Sequence, residues 1–160
     1  VSSIVKIAKK FSSRPVLIKV SSNITDIVEI VSAAKDSGAD GVTAINTVRA
    51  MVIDIETGRP ILSNNVGGLS GPAVKAIAIR CVYEISQKVD IPIIGCGGIT
   101  HWSDAIEFFL AGASCVQVGS AVAYKGLDVL GEIVDGIKKY MNNHEIKEIG
   151  ELVGRSHSYQ

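Results

Sequence analysis

The sequence predicts an α/β fold: the C-terminal half of a (β/α)8 TIM barrel, carrying about four of its eight βα units. Three observations carry that expectation. Short β-branched runs alternate with longer segments of 3.6-residue period, the pattern of a parallel sheet with crossover helices. The strand-like runs are nearly continuously apolar, as strands buried on both faces require. Two of them end in glycine-rich turns, Ile91-Pro-Ile-Ile-Gly-Cys-Gly-Gly-Ile-Thr100 and Val116-Gln-Val-Gly-Ser-Ala121. Each turn leaves bare backbone where the next helix starts, and orphan N–H groups at a helix start favour an anion. Two such turns on consecutive βα units are the phosphate grip of this barrel class.

Taken in order, Ile4, Val5, Ala8 and Phe11 form a first helical stripe that should pack on something earlier. The first strand is Val16–Val20. A helix follows with Ile24, Ile27, Val28 and Val31 on one face, Thr25 and Asp26 in its first turn and Gly38 just past its end. The second strand is Gly41–Ile45. Between Asn46 and Gly71 runs an excursion of roughly two dozen residues, too long for an ordinary βα loop and therefore a candidate functional segment. It contains strand-like Met51–Ile55, a Thr57-Gly58 turn and Gly67-Gly68. Gly71-Pro72 then opens a helix whose stripe is Val74, Ile77, Ala78, Cys81, Val82 and Ile85, with Pro suited to its first turn. After the strand Ile91–Gly95, Ser103 is the expected N-cap of a helix carrying Ile106, Phe109 and Leu110, closed by Gly112. The last strand is Cys115–Val118, and a long helix with Leu130, Ile133, Val134 and Ile137 completes the pattern. Four units alone leave the first and last strands as open apolar edges, which proteins avoid. The chain also begins at Val1. Residues 1–160 therefore read as the C-terminal half of one domain, with the N-terminal half absent.

Composition narrows the function. Lys and Arg together number 16, as do Asp and Glu, so no net field draws the chain to nucleic acid or an acidic membrane. No apolar run approaches the ~20 residues of a bilayer span, and no signal peptide is visible, so the expected location is cytoplasmic. Cys81, Cys96 and Cys115 are far apart, without metal-ligand spacing, and are expected to be buried free thiols. No metal site is expected.

The polar residues at strand ends carry the chemistry. Lys19, near the end of the first strand, is either a snorkelling edge lysine or a cation aimed at the barrel mouth, able to neutralise charge developing on a cofactor. Asn46 and Thr47, directly after the second strand, are a polar turn or a donor–acceptor pair reading a small ligand. Gly67-Gly-Leu-Ser-Gly-Pro72 permits close backbone approach to a cofactor. His101 reads as a surface or capping residue, and Asp54 and Glu56 as solvated.

Five stretches together resemble the C-terminal half of the dihydroorotate dehydrogenases, flavin enzymes of pyrimidine synthesis. They are Ile18-Lys-Val-Ser-Ser-Asn-Ile-Thr-Asp26, Ala44-Ile-Asn-Thr47, Gly67-Gly-Leu-Ser-Gly-Pro-Ala73, Ile93-Ile-Gly-Cys-Gly-Gly-Ile99 and Ala111-Gly-Ala-Ser-Cys-Val-Gln-Val-Gly-Ser120. The resemblance implies FMN as cofactor. Lys19 would contact its ring and stabilise the anionic reduced form, the Ile45 backbone and Gly71 would line it, and Gly97, Gly98, Gly119 and Ser120 would bind its phosphate. Asn46 and Thr47 would hydrogen-bond the substrate. The implied reaction is oxidation of dihydroorotate to orotate, with hydride passing from C6 to flavin N5 while a base removes the C5 proton. That base belongs to an N-terminal-half loop with no counterpart here, so no catalytic residue is assigned in this stretch and the half should be inactive alone. Ser120 stands where the family often has Thr. The absence of a tyrosine from Val116-Gln-Val-Gly-Ser120, with Cys81-Val-Tyr-Glu84, resembles the class 1, NAD-linked type. That type implies a homodimer working with an FAD and iron–sulfur electron-transfer subunit. The alternatives are a dihydropyrimidine dehydrogenase-type flavin domain reducing uracil or thymine, and a non-redox phosphate-binding barrel fragment.

Overall fold

The computed structural model describes residues 1–159. Helix α1 (Ser2–Phe11) leads into strand β1 (Leu17–Val20), α2 (Ile27–Asp36) and β2 (Gly41–Ala44). The excursion that follows holds four short strands, β3 (Val48–Ala50), β4 (Ile53–Asp54), β5 (Arg59–Pro60) and β6 (Gly67–Leu69). A 3-10 turn at Pro72–Val74 opens α3 (Lys75–Lys88), followed by β7 (Ile93–Cys96), α4 (Trp102–Ala111) and β8 (Cys115–Gln117). Helices α5 (Ser120–Lys125) and α6 (Asp128–Asn143) and two 3-10 turns complete the described residues.

The main sheet is parallel, in the order β1-β2-β7-β8, with Lys19 beside Thr43 and Gly95 beside Val116. This is the expected succession of βα units, arranged as an open four-stranded sheet. Val31, Val42, Ala44, Cys81, Val82, Ile85 and Phe108 are fully buried between sheet and helices. Bare backbone at Gly95 makes this closeness possible, because a Cβ there would lie 2.5 Å from the Phe108 ring.

The expectation that every strand is buried on both faces holds only in the centre. All of β2 is buried, whereas Leu17 and Lys19 on β1 and Cys115 and Gln117 on β8 are exposed. The edge strands have a neighbour on one side only, so their apolar residues lie open. The same geometry corrects the thiols: Cys81 is buried, Cys96 is half-buried and Cys115 is exposed. Strand β7 begins two residues later than expected, at Ile93. Pro92 has no N–H for a ladder but uses its carbonyl to accept from Val42 at 2.9 Å.

The helix starts also shift. Asp26 caps α2, its carboxylate accepting from the Val28 and Glu29 amides, so Ile24 lies outside the helix and is 40% exposed. His101, not Ser103, is the N-cap of α4. On α6 the buried residues are Val129 and Ile133, while Leu130 and Val134 stay 41% and 49% exposed. The i, i+4 ridge Val129–Ile133–Ile137 with Tyr140 faces the core, and the Tyr140 ring lies tilted by 38° against Trp102 of α4, their centroids 5.8 Å apart. On α1, Val5 is buried against Ala34 and Ala39, and Ile4, Ile7 and Phe11 are exposed.

The excursion after β2 is two antiparallel ribbons. Val48 pairs with Leu69 and Ala50 with Gly67, while Ile53 pairs with Pro60. Asp54 closes the inner ribbon, accepting from the Glu56 and Thr57 amides at 2.9 and 3.0 Å. Of the expected Met51–Ile55 strand, only Ile53–Asp54 forms a strand, with the Val52 carbonyl accepting from the Ile61 amide at 3.0 Å beside it.

Candidate functional site

One cavity opens at the carboxyl ends of β1, β2, β7 and β8, where loops rather than side chains close the parallel sheet. All nine residues singled out from the sequence line it: Lys19 from β1, Ile45, Asn46 and Thr47 after β2, Gly71 at the entry to α3, Gly97 and Gly98 after β7, and Gly119 and Ser120 after β8.

The exit of β2 is pinned on both sides. Ile45 N–H donates to the Cys96 carbonyl and Asn46 N–H to the Val20 carbonyl, each at 2.7 Å, and the Ala44–Ile45 peptide is cis. Ile45 is 2% exposed and packs in the core, and it also lines the cavity. Asn46 Oδ1 accepts from the Thr47 amide at 2.9 Å, leaving the carboxamide NH2 without a protein acceptor among the described residues. Thr47 packs on bare Gly68, where a Cβ would run into its side chain. Its carbonyl accepts from Asn23 Nδ2 at 3.2 Å, and Asn23 Oδ1 accepts from the Arg49 amide at 2.9 Å. Asn23 thus holds the start of the excursion from both sides of Val48.

Lys19 is exposed on β1, and its ammonium donates to Cys96 Sγ at 3.6 Å. Among the described residues no carboxylate pairs with it, and it lines the cavity.

The glycines fall into two kinds. Gly71, Gly97 and Gly98 have φ of +91°, +140° and +75°, a region that side-chain-bearing residues rarely adopt. At Gly98 a Cβ would also lie 2.8 Å from Lys75 Cβ and 2.9 Å from the Gly71 carbonyl, so this turn must be bare to sit against α3. Gly119 has no atom within 4 Å of such a Cβ; its bareness leaves room on the cavity side. The amides of Gly98 and Gly119 donate to no protein acceptor among the described residues. A concave site walled by bare backbone, with unpaired amides and one cation, suits an anionic group such as a phosphate.

Asp104 orders the first turn. It is 8% exposed, and its Oδ2 accepts from Thr100 N–H at 2.8 Å, Thr100 Oγ1 at 3.2 Å and His101 N–H at 2.9 Å. Its Oδ1 accepts from Lys75 Nζ at 2.8 Å, and Lys75 also reaches Glu107 at 2.7 Å. Burial pushes the Asp104 carboxyl upward, but the Lys75 ammonium and the two turn amides outweigh it and hold the group below its ordinary value. The hydrogen bonds that Lys75 donates to Asp104 and Glu107 raise its own value. Lys125, at the end of the helix that Ser120 begins, donates to the Thr100 carbonyl at 3.0 Å and joins the two glycine turns.

Sequence reasoning missed Asp104, Asn23 and Cys96 as parts of this site. An acidic residue three places after a polar one, His101-Trp-Ser-Asp104, is a capping-box signal that could have found Asp104. Asn23 bonds locally to Ser21 Oγ, but the partners that make it part of the site lie 24 and 26 residues away. His101 is a cap, as expected: its Nδ1 accepts from the Ser103 amide at 3.4 Å. Among the described residues, no group of three or more His, Cys, Asp or Glu is placed to hold a metal ion, and no helix is long and apolar enough to cross a membrane.

Residues 1–141 match the protein-family profile "Dihydroorotate dehydrogenase". The chain is 51% identical over 151 residues to the dihydroorotate dehydrogenase B (NAD(+)) catalytic subunit of Pyrococcus furiosus, covering 94% of this chain and 50% of that protein. It is 49% identical over 157 residues to the same-named subunit of Methanocella arvoryzae, covering 98% of this chain and 52% of the other. The crystal structure of an Eimeria tenella dihydroorotate dehydrogenase in complex with ferulenol superposes with a TM-score of 0.75 at 30% identity, covering 90% of this chain and 39% of that one. The chain spans about half the length of the curated relatives it matches. With the family profile running through both glycine turns and about half of the aligned residues identical to its B-type catalytic subunits, this chain belongs to the dihydroorotate dehydrogenase family.

Proposed function

We propose that this chain is the C-terminal half of a (β/α)8-barrel catalytic subunit that oxidises dihydroorotate to orotate in de novo pyrimidine (UMP) biosynthesis, with FMN as cofactor. The observation that carries the reading is convergence. Nine residues drawn from four strand exits and the α3 entry, spread over a hundred positions of sequence, line one cavity. Family membership names the reaction class that such a cavity would serve.

In this reading the amides of Gly98 and Gly119, with Gly97 and Ser120 beside them, hold the phosphate. Gly71 and the Ile45 backbone lie along the ring, and Lys19 supplies the positive charge that negative charge on the ring requires. Bound FMN supplies the hydride acceptor. Asn46 and Thr47 orient the pyrimidine through the free carboxamide NH2 and the Thr47 hydroxyl, while the two ribbons lie beside it and limit water. The C5 proton is assigned to a base in the other half of the barrel, whose strands would pair with the open edges of β1 and β8. The names of the B-type relatives support an NAD-linked enzyme whose catalytic subunit works with a second subunit. We assign that subunit the FAD and iron–sulfur centre, and the catalytic subunit a homodimeric state in the cytoplasm.

The test is the visible spectrum of the purified full-length chain. It should be yellow, and anaerobic dihydroorotate should bleach it. A colourless protein that takes up no FMN would falsify the flavin reading. Bleaching by reduced electron donors with reoxidation by uracil or thymine, and none by dihydroorotate, would move the substrate to the dihydropyrimidine alternative.

A further inference from the structure

We infer that Asp104 is the positioning residue of the anion turn: it engages the amides of Thr100 and His101, so that those of Gly98 and Ile99 are the turn's donors to a phosphate. The inference rests on the phosphate reading of the cavity proposed above.

An N-cap partner needs to satisfy one helix-end donor. Asp104 accepts four hydrogen bonds from two separate elements: three from the Thr100–His101 segment on Oδ2 and one from Lys75 of α3 on Oδ1. Thr100 is thereby held at its amide and hydroxyl by Asp104, and at its carbonyl by Lys125 from α5. Upstream, Gly98 is wedged against Lys75 and the Gly71 carbonyl. The turn is thus anchored at both ends. Four successive amides could otherwise spread around an anion; with two of them turned back onto Asp104, Gly98 and Ile99 remain, both lining the cavity.

A carboxylate this near an anion would oppose it if left bare. Lys75 answers that: its ammonium lies 2.8 Å from Oδ1 on the side away from the turn amides. Lys75 does not line the cavity and Asp104 does not face it, so both act through the turn.

The test compares two flavins that share a ring and differ by the phosphate. Apo full-length protein, wild type and Asp104→Asn, is titrated with FMN and with riboflavin by flavin fluorescence. Asparagine cannot serve the amides and Lys75 together, so FMN should bind at least about tenfold more weakly, the equivalent of one or two oriented hydrogen bonds. Riboflavin should bind within twofold of wild type. Equal weakening of both flavins, or of neither, overturns the positioning role, since a merely structural role moves both alike. If Asp104→Asn does not fold, Lys75→Met leaves the carboxylate uncompensated and should weaken FMN more than riboflavin; an equal effect again overturns the inference. Wild-type protein that binds neither flavin overturns the cofactor reading itself, which separates the two failures.

Discussion

The Lys19 ammonium lies 3.6 Å from the Cys96 sulfur, although 77 residues separate them and the whole of β2 stands between their strands. The sulfur gives the ammonium a protein contact at the cavity without the carboxylate partner that would tie it down. Lys19→Ala should therefore leave the fold intact, because the side chain is exposed, and slow anaerobic flavin reduction by dihydroorotate by about 100-fold, the usual effect of deleting one preorganised electrostatic group. Stopped-flow absorbance reads this directly; unchanged reduction kinetics would remove the assigned role.

Asn46→Ala removes the one carboxamide NH2 at the exit of β2 that has no protein acceptor among the described residues. One hydrogen bond to substrate corresponds to about a tenfold rise in KM for dihydroorotate. The flavin spectrum should not change. A shifted spectrum with unaltered KM would place Asn46 on the cofactor instead.

Gly98 and Gly119 separate folding from binding. Gly98→Ala combines φ of +75° with a Cβ 2.8 Å from Lys75 Cβ, and should cost about 2–4 kcal/mol in denaturant unfolding. Gly119→Ala meets nothing within 4 Å, so its folding penalty should be the smaller of the two while FMN binding weakens. Equal unfolding midpoints for the two variants would contradict the close packing at Gly98.

Asp104 should make stability depend on acid. Its carboxyl is held below the ordinary value of 3.8, burial being outweighed by Lys75 and the turn amides. A group with a depressed folded value contributes fully above 3.8, and the contribution fades as pH falls through the lower folded value. Lys75 is raised above 10.5 by Asp104 and Glu107, so its share is full below 10.5 and fades as pH climbs past the raised value. Asp104→Ala leaves the Thr100 and His101 amides without their acceptor and Lys75 with Glu107 alone, and should cost about 3 kcal/mol near neutrality. The wild-type loss of stability below pH 3.8 should shrink in this variant; urea unfolding across pH measures both.

The three thiols should react in order of exposure. Alkylation of native protein should modify exposed Cys115 first and half-buried Cys96 next, with Cys81 protected until unfolding. Burial raises the Cys81 thiol as well, which lowers its thiolate fraction further. Rapid native labelling of Cys81, read by peptide mass, would contradict the packing of α3 on the sheet.

Periodicity, apolar runs and glycine placement are enough to locate the four strands of the main sheet, the main helices and the two turns, because each depends on short stretches of backbone sterics and burial; the short strands β3, β5 and β6 of the excursion are not legible that way. Lys19, Asn46, Thr47 and the turn glycines were legible for the same reason: in a parallel βα succession, every strand exit lies at one end of the sheet. What only the tertiary structure decided are contacts between residues distant in sequence. Asn23 bonding to Thr47 and Arg49, Cys96 against Lys19, and Asp104 drawing Lys75 onto the back of the anion turn all depend on how elements pack, which no local pattern encodes. Exposure was decided there as well: Cys81 and Cys115 look alike in sequence, but Cys81 lies on the inward face of α3 and Cys115 on an edge strand with a neighbour on one side only.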